Sequence, residues 1–448
     1  MRKKLIPFAL TACLFASTLP FTACSKSQDE NVLRIASWDE YIDEGGEDSY
    51  VEGSRALYEE FADWYFEQTG KKITVDYIPL QDNETMYNKI KMGDKYDLLC
   101  PSEYMIMKLA SEGLIQKLPA SLFDPTVENN YYIRNVSNYI QKDVFEKTLL
   151  ADGSKLSEYT AGYMWGSTGF VYNPEKVSAD DVKSWNVFLN EAYTRKITAK
   201  DNVRDSYFAG LGMYYETELL ALKSQLNAGS ITLDDYKKKL SEKMNDASVS
   251  TMANVQKVME KMRGNLYGLE TDEGKLDVVT GRFDISYQWS GDAVYTLDMG
   301  ENEEMTDEPL YLEYCIPEAT SNLWFDGWVM MQDANVELAS AFINFLSIPE
   351  NVVRNMYYIG YTSCIATDEV FAYVEETYGA DESVENPVEY DLSYFFGDGY
   401  SLLTSEEQTR RQLFAQYPKS DTIDRLVVMK PFDKETNERA NRMWNTIK

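Results

Sequence analysis

The stretch that decides the fold lies early in the chain: Val32-Leu33-Arg34-Ile35-Ala36, followed at once by Ser37-Trp38-Asp39-Glu40-Tyr41. The first part is a short apolar run, which is typical of a buried strand. The second part places an indole, two carboxylates and a phenol at the end of that strand. Aromatic faces attract cations and carboxylates supply counter-charge, so the cluster could hold an organic cation. Trp and Tyr residues near strand ends more often belong to the core or its rim, so the meaning of the cluster depends on whether it recurs.

Strand and helix patterns alternate after this opening. The predicted elements are a helix over 57–66, a strand over 73–78, a helix over 83–92, a strand over 96–100 and a third helix whose N-cap is Ser102. This order predicts an α/β fold with a mostly parallel sheet. Ligands of such sheets bind beyond the carboxyl ends of the strands, where residues 38–41 and 102–104 both fall.

The pairing of indole and carboxylate returns twice. Trp289-Ser290-Gly291-Asp292 follows a strand pattern over 283–288, and Trp324-Phe325-Asp326 precedes the apolar Val329-Met330-Met331. The whole chain has 8 Trp, so three such clusters beside predicted strands favour a shared site. A further indole, Trp165, could belong to a ligand wall or to the core.

Length and charge limit the classes of function. A chain of 448 residues is too long for one ordinary core, which predicts two lobes. A net charge of −31 disfavours nucleic acid and anionic membrane surfaces as partners. It suits a cationic ligand, although solubility accounts for an acidic surface equally well. The absence of His excludes Ser-His and Cys-His nucleophiles and His-ligated metals.

The N-terminus has the pattern of a processing signal. The basic Met1-Arg2-Lys3-Lys4 precedes an apolar run over 5–21 and then Thr22-Ala23-Cys24. This predicts a bacterial lipoprotein signal over residues 1–23, lipidation of Cys24 and a tether over 24–31. A plain signal peptide and an uncleaved anchor remain alternatives. The sequence after this segment contains no run of about 18 apolar residues, so it does not predict a second membrane segment.

Three cysteines lie outside this signal and tether: Cys100, Cys315 and Cys364. Their number is odd and their spacing is unlike that of a metal site, so they are interpreted as buried apolar residues with one possible disulfide pair. Residues 216–262 predict an added helical region with charged residues outward. Residues 375–415 are acidic and weakly patterned, which predicts a surface excursion.

Several motifs resemble the periplasmic spermidine/putrescine-binding proteins of bacterial ABC importers. The resemblance rests on Asn83-Glu84-Thr85-Met86-Tyr87, on residues 96–104 and 112–116, on the three indole–acid clusters, and on Tyr163-Met164-Trp165-Gly166, residues 343–346 and Ile359-Gly360-Tyr361. It implies a type II periplasmic-binding-protein fold with a ligand cleft between two lobes and three crossings. In this arrangement the first lobe consists of residues 32–160 and 325–368, and the second lobe consists of residues 161–324 and 369–448.

The resemblance also implies a site and partners. The polyamine would contact these residues: Trp38, Glu40, Tyr41, Ser102, Tyr104, Asp205, Trp289, Asp292, Trp324, Asp326 and Tyr361. Two departures matter: Asn202 stands where the family's spermidine binders carry an acid, and Asp292 follows Trp289 as it does in putrescine binders. A late polar ligand position of the family falls on Met429. Together these leave the choice between putrescine and spermidine open. A membrane permease, a periplasmic location, a monomeric state and no cofactor are expected.

Two other interpretations remain open from the sequence. A lipid-anchored glycoside hydrolase would also place a carboxylate pair in a Trp-lined cleft. A binding protein for another solute would share the fold and differ only in the ligand.

Overall fold

A computed structural model describes residues 30–270, 274–302 and 309–448. The predicted signal, the lipidation of Cys24 and most of the predicted tether lie outside the described residues. Within them the chain forms an α/β fold around one large mixed sheet.

Sixteen strands occur in the described residues. They are β1 (Val32–Trp38), β2 (Gly45–Gly46), β3 (Ser54–Arg55), β4 (Thr74–Leu80), β5 (Leu98–Leu99), β6 (Ile115–Gln116), β7 (Ala161–Tyr172), β8 (Ile197–Lys200), β9 (Gly268–Glu270), β10 (Ile285–Trp289), β11 (Glu313–Cys315), β12 (Ser321–Met331), β13 (Thr362–Ser363), β14 (Val388–Asp391), β15 (Ser401–Thr404) and β16 (Leu426–Val427).

The α-helices of the described residues are α1 (Leu57–Thr69), α2 (Asn83–Met92), α3 (Glu103–Ser111), α4 (Tyr131–Asn135), α5 (Ala179–Val182), α6 (Val203–Asn227), α7 (Leu233–Met244), α8 (Val249–Asn265), α9 (Gly274–Val279), α10 (Ser290–Glu301), α11 (Val336–Leu346), α12 (Pro349–Ile359), α13 (Asp368–Tyr378), α14 (Ser393–Phe396), α15 (Gln412–Gln416), α16 (Ser420–Ile423) and α17 (Lys434–Ile447).

The main sheet has the strand order β4-β1-β5-β12-β7-β10-β8-β9. β1 pairs in parallel with β4 and β5, and β8 pairs in parallel with β9 and β10. At the centre, however, β12 is antiparallel to both β5 and β7. The expectation of a mostly parallel sheet is therefore wrong at the centre, because β7 and β12 are long strands that join the two halves instead of belonging to one βαβ series.

These two joining strands fit the predicted lobe organisation. β7 and β12 are buried along nearly their whole length. Their pairing runs from Leu323↔Ser167 to Trp328↔Ala161, with a register shift between Asp326 and Gly327. The two-lobe α/β class is confirmed, whereas the boundaries of the four predicted segments remain a proposal.

The predicted helices owe their bounds to local caps. α2 begins where the Asp82 side chain accepts a hydrogen bond of 2.6 Å from the Thr85 N–H. It ends at Gly93, whose φ of +101° is a conformation that favours glycine. α11 likewise begins after Asn335, whose side chain accepts from the Leu338 N–H. The prediction for α2 is therefore confirmed at both ends.

Residues 375–415 are not the predicted surface excursion. The Phe395 ring stacks on the Trp165 indole with 5.4 Å between centroids, and Phe395 is 2% exposed. Tyr390 of β14 and Leu402 of β15 are also buried. The sequence pattern does not indicate that this segment is buried, because its short elements carry only one or two core residues each, too few to create a periodic pattern. The contact also identifies Trp165 as a core residue.

The other predictions on helices and cysteines have mixed outcomes. Residues 216–262 are helical, as predicted, within α6, α7 and α8. The three cysteines are free thiols, with Cys100 and Cys364 buried and Cys315 partly exposed. No disulfide therefore joins them. None of the helices in the described part of the chain is long and apolar enough to cross a membrane.

Candidate functional site

The centre of the predicted site is Asp326, at the register shift of β12. Its Oδ2 accepts hydrogen bonds from the Tyr41 hydroxyl at 2.7 Å and from the Trp38 Nε1–H at 3.1 Å. Its Oδ1 is buried and has no hydrogen-bond partner among the described residues. Burial raises the pKa of this carboxyl, and hydrogen bonds from the Ser102, Tyr41 and Trp38 side chains oppose that shift only in part. Asp326 thus has one oxygen free to receive a donor.

A second buried acid, Glu103, lies at the start of α3 and was missed in the sequence analysis. It is 1% exposed, and its Oε2 is buried without a partner in the described residues. Burial, followed by the charge of Asp326, raises the pKa of Glu103 well above its ordinary value. The two buried carboxyls therefore oppose each other's ionisation on this side of the site.

The loop before α3 is fixed by α2. The Ser102 N–H donates to Asn83 Oδ1, the Asn83 Nδ2–H donates to Ser102 Oγ, and both distances are 3.0 Å. Ser102 is the N-cap residue of α3, as predicted, but its side chain is engaged by Asn83 and makes no cap hydrogen bond in the described structure. The backbone of Ser102 nevertheless forms an isolated antiparallel β-bridge with that of Asp326. Tyr104 donates to Glu84 at 3.2 Å.

The opposite side of the site is organised around Asp292, in the first turn of α10. The Lys200 ammonium lies 3.1 Å from Asp292 Oδ2, and the Lys275 ammonium lies 3.4 Å from Oδ1. The Tyr361 hydroxyl donates to Oδ1 at 2.7 Å. Although burial acts to raise the pKa of Asp292, the two lysines hold it below its ordinary value. Asp292 is therefore an ionised carboxylate with cations already beside it.

Lys200 also contacts an aromatic ring. Its Nζ lies 3.6 Å from the centroid of Trp289, and its side chain is 2% exposed. This is the geometry of a cation–π contact. The sequence alone assigns Lys200 no role, because a lysine that ends a strand is more often exposed.

α6 begins next to this lysine. Asn202 is its N-cap, and its side chain accepts from the Arg204 and Asp205 N–H groups. Burial raises the pKa of Asp205 to about 6, while Lys200 opposes the shift. The Arg204 guanidinium lies 3.6 Å from the Phe432 ring and 4.7 Å from the Tyr104 ring. Arg204 therefore links α6 to α3, across the two halves of the sheet.

Two further aromatic residues connect the Asp326 and Asp292 sides. The Tyr361 ring lies 5.4 Å from Trp324 and 5.6 Å from Tyr41, centroid to centroid. A Cβ added to Gly291 would come within 1.8 Å of the Tyr361 ring. Glycine is required there because the ring packs directly on the backbone of α10. Trp324 is fixed by donating to the Ser167 carbonyl at 2.8 Å.

Ten of the eleven predicted residues fall in this connected region, and Glu40 differs from them. The ten are Trp38, Tyr41, Ser102, Tyr104, Asp205, Trp289, Asp292, Trp324, Asp326 and Tyr361. Glu40 has an exposed side chain and a φ of +50°. Its predicted contact with an ammonium group stays a prediction, as do the ligand roles of the ten. Met429 is buried.

The residues missed by the sequence analysis are mostly charged. They are Glu84, Glu103, Lys200, Arg204 and Lys275. In the residues that the structure describes, no group of three acids or cysteines is arranged to hold a metal ion. Aromatic rings with buried carboxylates between two halves of a sheet can instead retain a desolvated organic cation.

The chain is similar to curated bacterial binding proteins. It is 24% identical over 342 residues to the spermidine/putrescine-binding periplasmic protein of Escherichia coli strain K12, which covers 76% of this chain and 79% of that protein. It is 24% identical over 346 residues to the putrescine-binding periplasmic protein SpuD of Pseudomonas aeruginosa, which covers 75% of this chain and 80% of that protein.

Solved structures share the fold. The substrate-binding protein PotD of a Streptococcus pneumoniae spermidine/putrescine ABC transporter matches with a TM-score of 0.59 and 23% identity, over 93% of this chain and 98% of that one. The Tp0655 (TpPotD) lipoprotein of Treponema pallidum matches with a TM-score of 0.60 and 17% identity, over 93% and 99%. The family model for bacterial extracellular solute-binding proteins matches residues 56–385, more than half of the chain. The chain therefore belongs to the bacterial extracellular solute-binding protein family.

Proposed function

We propose that this chain is the solute-binding component of a polyamine ABC importer. The observation that carries the proposal is Asp326, a buried carboxylate that accepts from Trp38 and Tyr41 and whose Oδ1 has no hydrogen-bond partner among the described residues. An uncompensated buried carboxylate costs several kcal/mol, which an ammonium group of a ligand would offset. The methylene chain of a polyamine would pack along the rings. The names of the relatives support the same ligand class.

Closure of the two lobes would couple binding to transport. Arg204 contacts Tyr104 across the cleft, and Tyr361 contacts both Trp324 and Tyr41. A ligand that bridges the two halves would stabilise the closed state by its higher affinity for that state. We propose that a membrane permease recognises this state. The predicted periplasmic location, the monomeric state and the anchor at Cys24 belong to the same proposal.

Calorimetric titration with putrescine, cadaverine and spermidine tests the ligand class. The expected result is saturable binding of at least one of them at 1:1 stoichiometry, with a rise in the thermal unfolding midpoint. The same protein is incubated with oligosaccharides to test the hydrolase alternative, and with amino acids to test another solute. Release of a sugar product without any polyamine-induced thermal shift would refute the proposal.

A further inference from the structure

The side chain of Lys200 occupies a place that suits a ligand ammonium group. Its Nζ is 3.6 Å from the Trp289 centroid and 3.1 Å from Asp292 Oδ2. An aromatic face together with a carboxylate is the chemistry that recognises the end of a polyamine. At this end of the site the protein thus supplies its own primary ammonium.

The backbone holds Lys200 in this place. Lys200 ends β8 and pairs in register with Glu270 of β9. Its carbonyl accepts a hydrogen bond of 2.7 Å from the Ser206 hydroxyl in the first turns of α6. The neighbouring Thr198 pairs with Ser286 of β10. Strands flank β8 on both sides, and the Lys200 side chain is 2% exposed, so the ammonium group is buried.

The charges that surround the site agree with a resident cation. Asp292 has two lysines and the Tyr361 hydroxyl beside it, so its negative charge is compensated. Asp326 accepts from the neutral Trp38 and Tyr41 side chains, and its Oδ1 has no hydrogen-bond partner among the residues that the structure describes. The two carboxylates therefore differ: within the described residues Asp292 has lysine ammonium groups in contact and Asp326 has none. A second ammonium brought to Trp289 would face the ammonium of Lys200 at close range and be repelled.

We propose that Lys200 is a specificity-determining residue that takes the place of one ligand ammonium group, so that the site accepts a diamine and discriminates against a triamine. The inference rests on the proposed polyamine function and narrows it. One ammonium of the diamine binds at Asp326. A triamine brings one more ammonium group than a diamine, and the place over Trp289 that would take this group is occupied by Lys200.

Titration of the wild type and of Lys200→Met with putrescine and spermidine tests the inference. Methionine keeps the length and the apolar stem of the side chain and removes the charge. We expect the wild type to bind putrescine at least about tenfold more tightly than spermidine, a ratio that corresponds to about 1.4 kcal/mol. In Lys200→Met that ratio should fall by at least about tenfold, mainly through tighter spermidine binding.

Two further variants keep the test decisive. Lys200→Gln removes the charge but keeps a donor for Asp292, and it replaces Lys200→Met if the latter does not fold by circular dichroism. Lys196→Met is the matched control, since Lys196 precedes the same strand with a side chain that is 46% exposed and pairs with Asp284. It should leave both affinities unchanged.

The possible failures are distinguishable. A wild type that binds neither amine refutes the polyamine function and this inference with it. A wild type that binds putrescine while showing no discrimination against spermidine, or a ratio that is unchanged in both Lys200 variants, refutes the role of Lys200 alone.

Discussion

The Trp38 indole donates a hydrogen bond of 3.1 Å to Asp326, across a sequence separation of 288 residues. The bond joins the end of β1 to the register shift of β12. Tyr41 donates to the same oxygen at 2.7 Å, so the first indole–acid cluster of the chain and the last one share a carboxylate. Two patterns that are ambiguous in isolation thereby become parts of one site.

Replacing Asp326 by Asn should abolish polyamine binding without unfolding the protein. The amide oxygen can still accept from Trp38 and Tyr41, whereas the negative charge that attracts the ammonium is lost. We expect affinity to fall at least about 100-fold, in line with the cost of about 3–5 kcal/mol for removing one partner of a buried charge pair. Titration calorimetry and a thermal melt measure the two effects.

The control for this change is Asp333→Asn. Asp333 follows β12, and its side chain is 76% exposed and pairs with Lys95 at 3.6 Å. The polyamine affinity and the melting temperature of Asp333→Asn should match those of the wild type. Equal polyamine affinity in Asp326→Asn and the wild type would contradict the assignment of Asp326.

Adding a methyl group at Gly291 should disrupt the aromatic contact between the two sides of the site. In Gly291→Ala the new Cβ would lie 1.8 Å from the Tyr361 ring, so the ring has to leave its place against Trp324 and Tyr41. Overpacking of this kind costs about 1–3 kcal/mol. We expect weaker ligand binding and a lower free energy of unfolding in urea.

Gly264→Ala is the matched control for Gly291→Ala. Gly264 lies in α8, and no atom lies within 4 Å of its added Cβ. Alanine should stabilise that helix by about 0.5–1 kcal/mol and leave binding unchanged. Destabilisation by both changes would indicate that Gly291 is not special.

Polyamine affinity should weaken as the pH falls below about 6, the value to which burial raises the pKa of Asp205. A cation binds the ionised carboxylate, and protonation removes the charge. The stability of the ligand-free protein should change with pH in the opposite direction to the affinity. The folded state binds the proton of Asp205 more tightly than the unfolded state does, so this group lowers the free energy of unfolding as the pH rises from about 4 to 6.

Asp205→Asn tests both pH dependences, that of polyamine affinity and that of stability. At pH 7 the ligand-free variant should exceed the wild type in free energy of unfolding by at most on the order of 3 kcal/mol, and the gap should close near pH 4. Its affinity should be lower and no longer change near pH 6. Asp180→Asn, at a carboxylate that is 87% exposed, should reproduce the wild-type profiles. A wild-type affinity that is constant from pH 5 to 7 would argue against an ionised Asp205 in binding.

The sequence predicts the aromatic and acidic members of the site better than its basic ones. Trp38, Trp289 and Trp324 stand out because each indole lies near a carboxylate at a strand end. Lys200 and Arg204 give no comparable signal, since burial of a cation depends on partners that are distant in sequence. Asp292, for example, is 92 residues from Lys200.

The fold was predictable where one element carries a complete pattern. α2 has a cap, an apolar face and a terminal glycine, and its predicted bounds are confirmed. The antiparallel pairing of β7 with β12 could not be read from either strand, because both are continuously buried and lack alternation.

Arg354 should be required for stability. Its Nε lies 2.7 Å from Asp43 Oδ2 and its NH1 lies 2.8 Å from Glu60 Oε2, with Asp43 fully buried. Arg354→Met leaves the Asp43 charge uncompensated, so we expect a loss of about 3–5 kcal/mol in the free energy of unfolding. Arg55→Met removes a cation from an exposed pair with Asp63, where solvent screens the charges, and should lower the free energy of unfolding far less. Equal losses in urea titrations would contradict this ranking.

Phe395→Ala tests whether residues 375–415 belong to the core. The ring is 2% exposed, stacks on Trp165 and lies 5.3 Å from the Tyr417 ring, so its removal opens a cavity beneath β7. We expect a loss of about 3–5 kcal/mol. Leu403→Ala, on the neighbouring hairpin strand at a side chain that is 57% exposed, should change stability by less than about 0.5 kcal/mol. If Phe395→Ala is as mild as Leu403→Ala, the segment is a detachable surface feature after all.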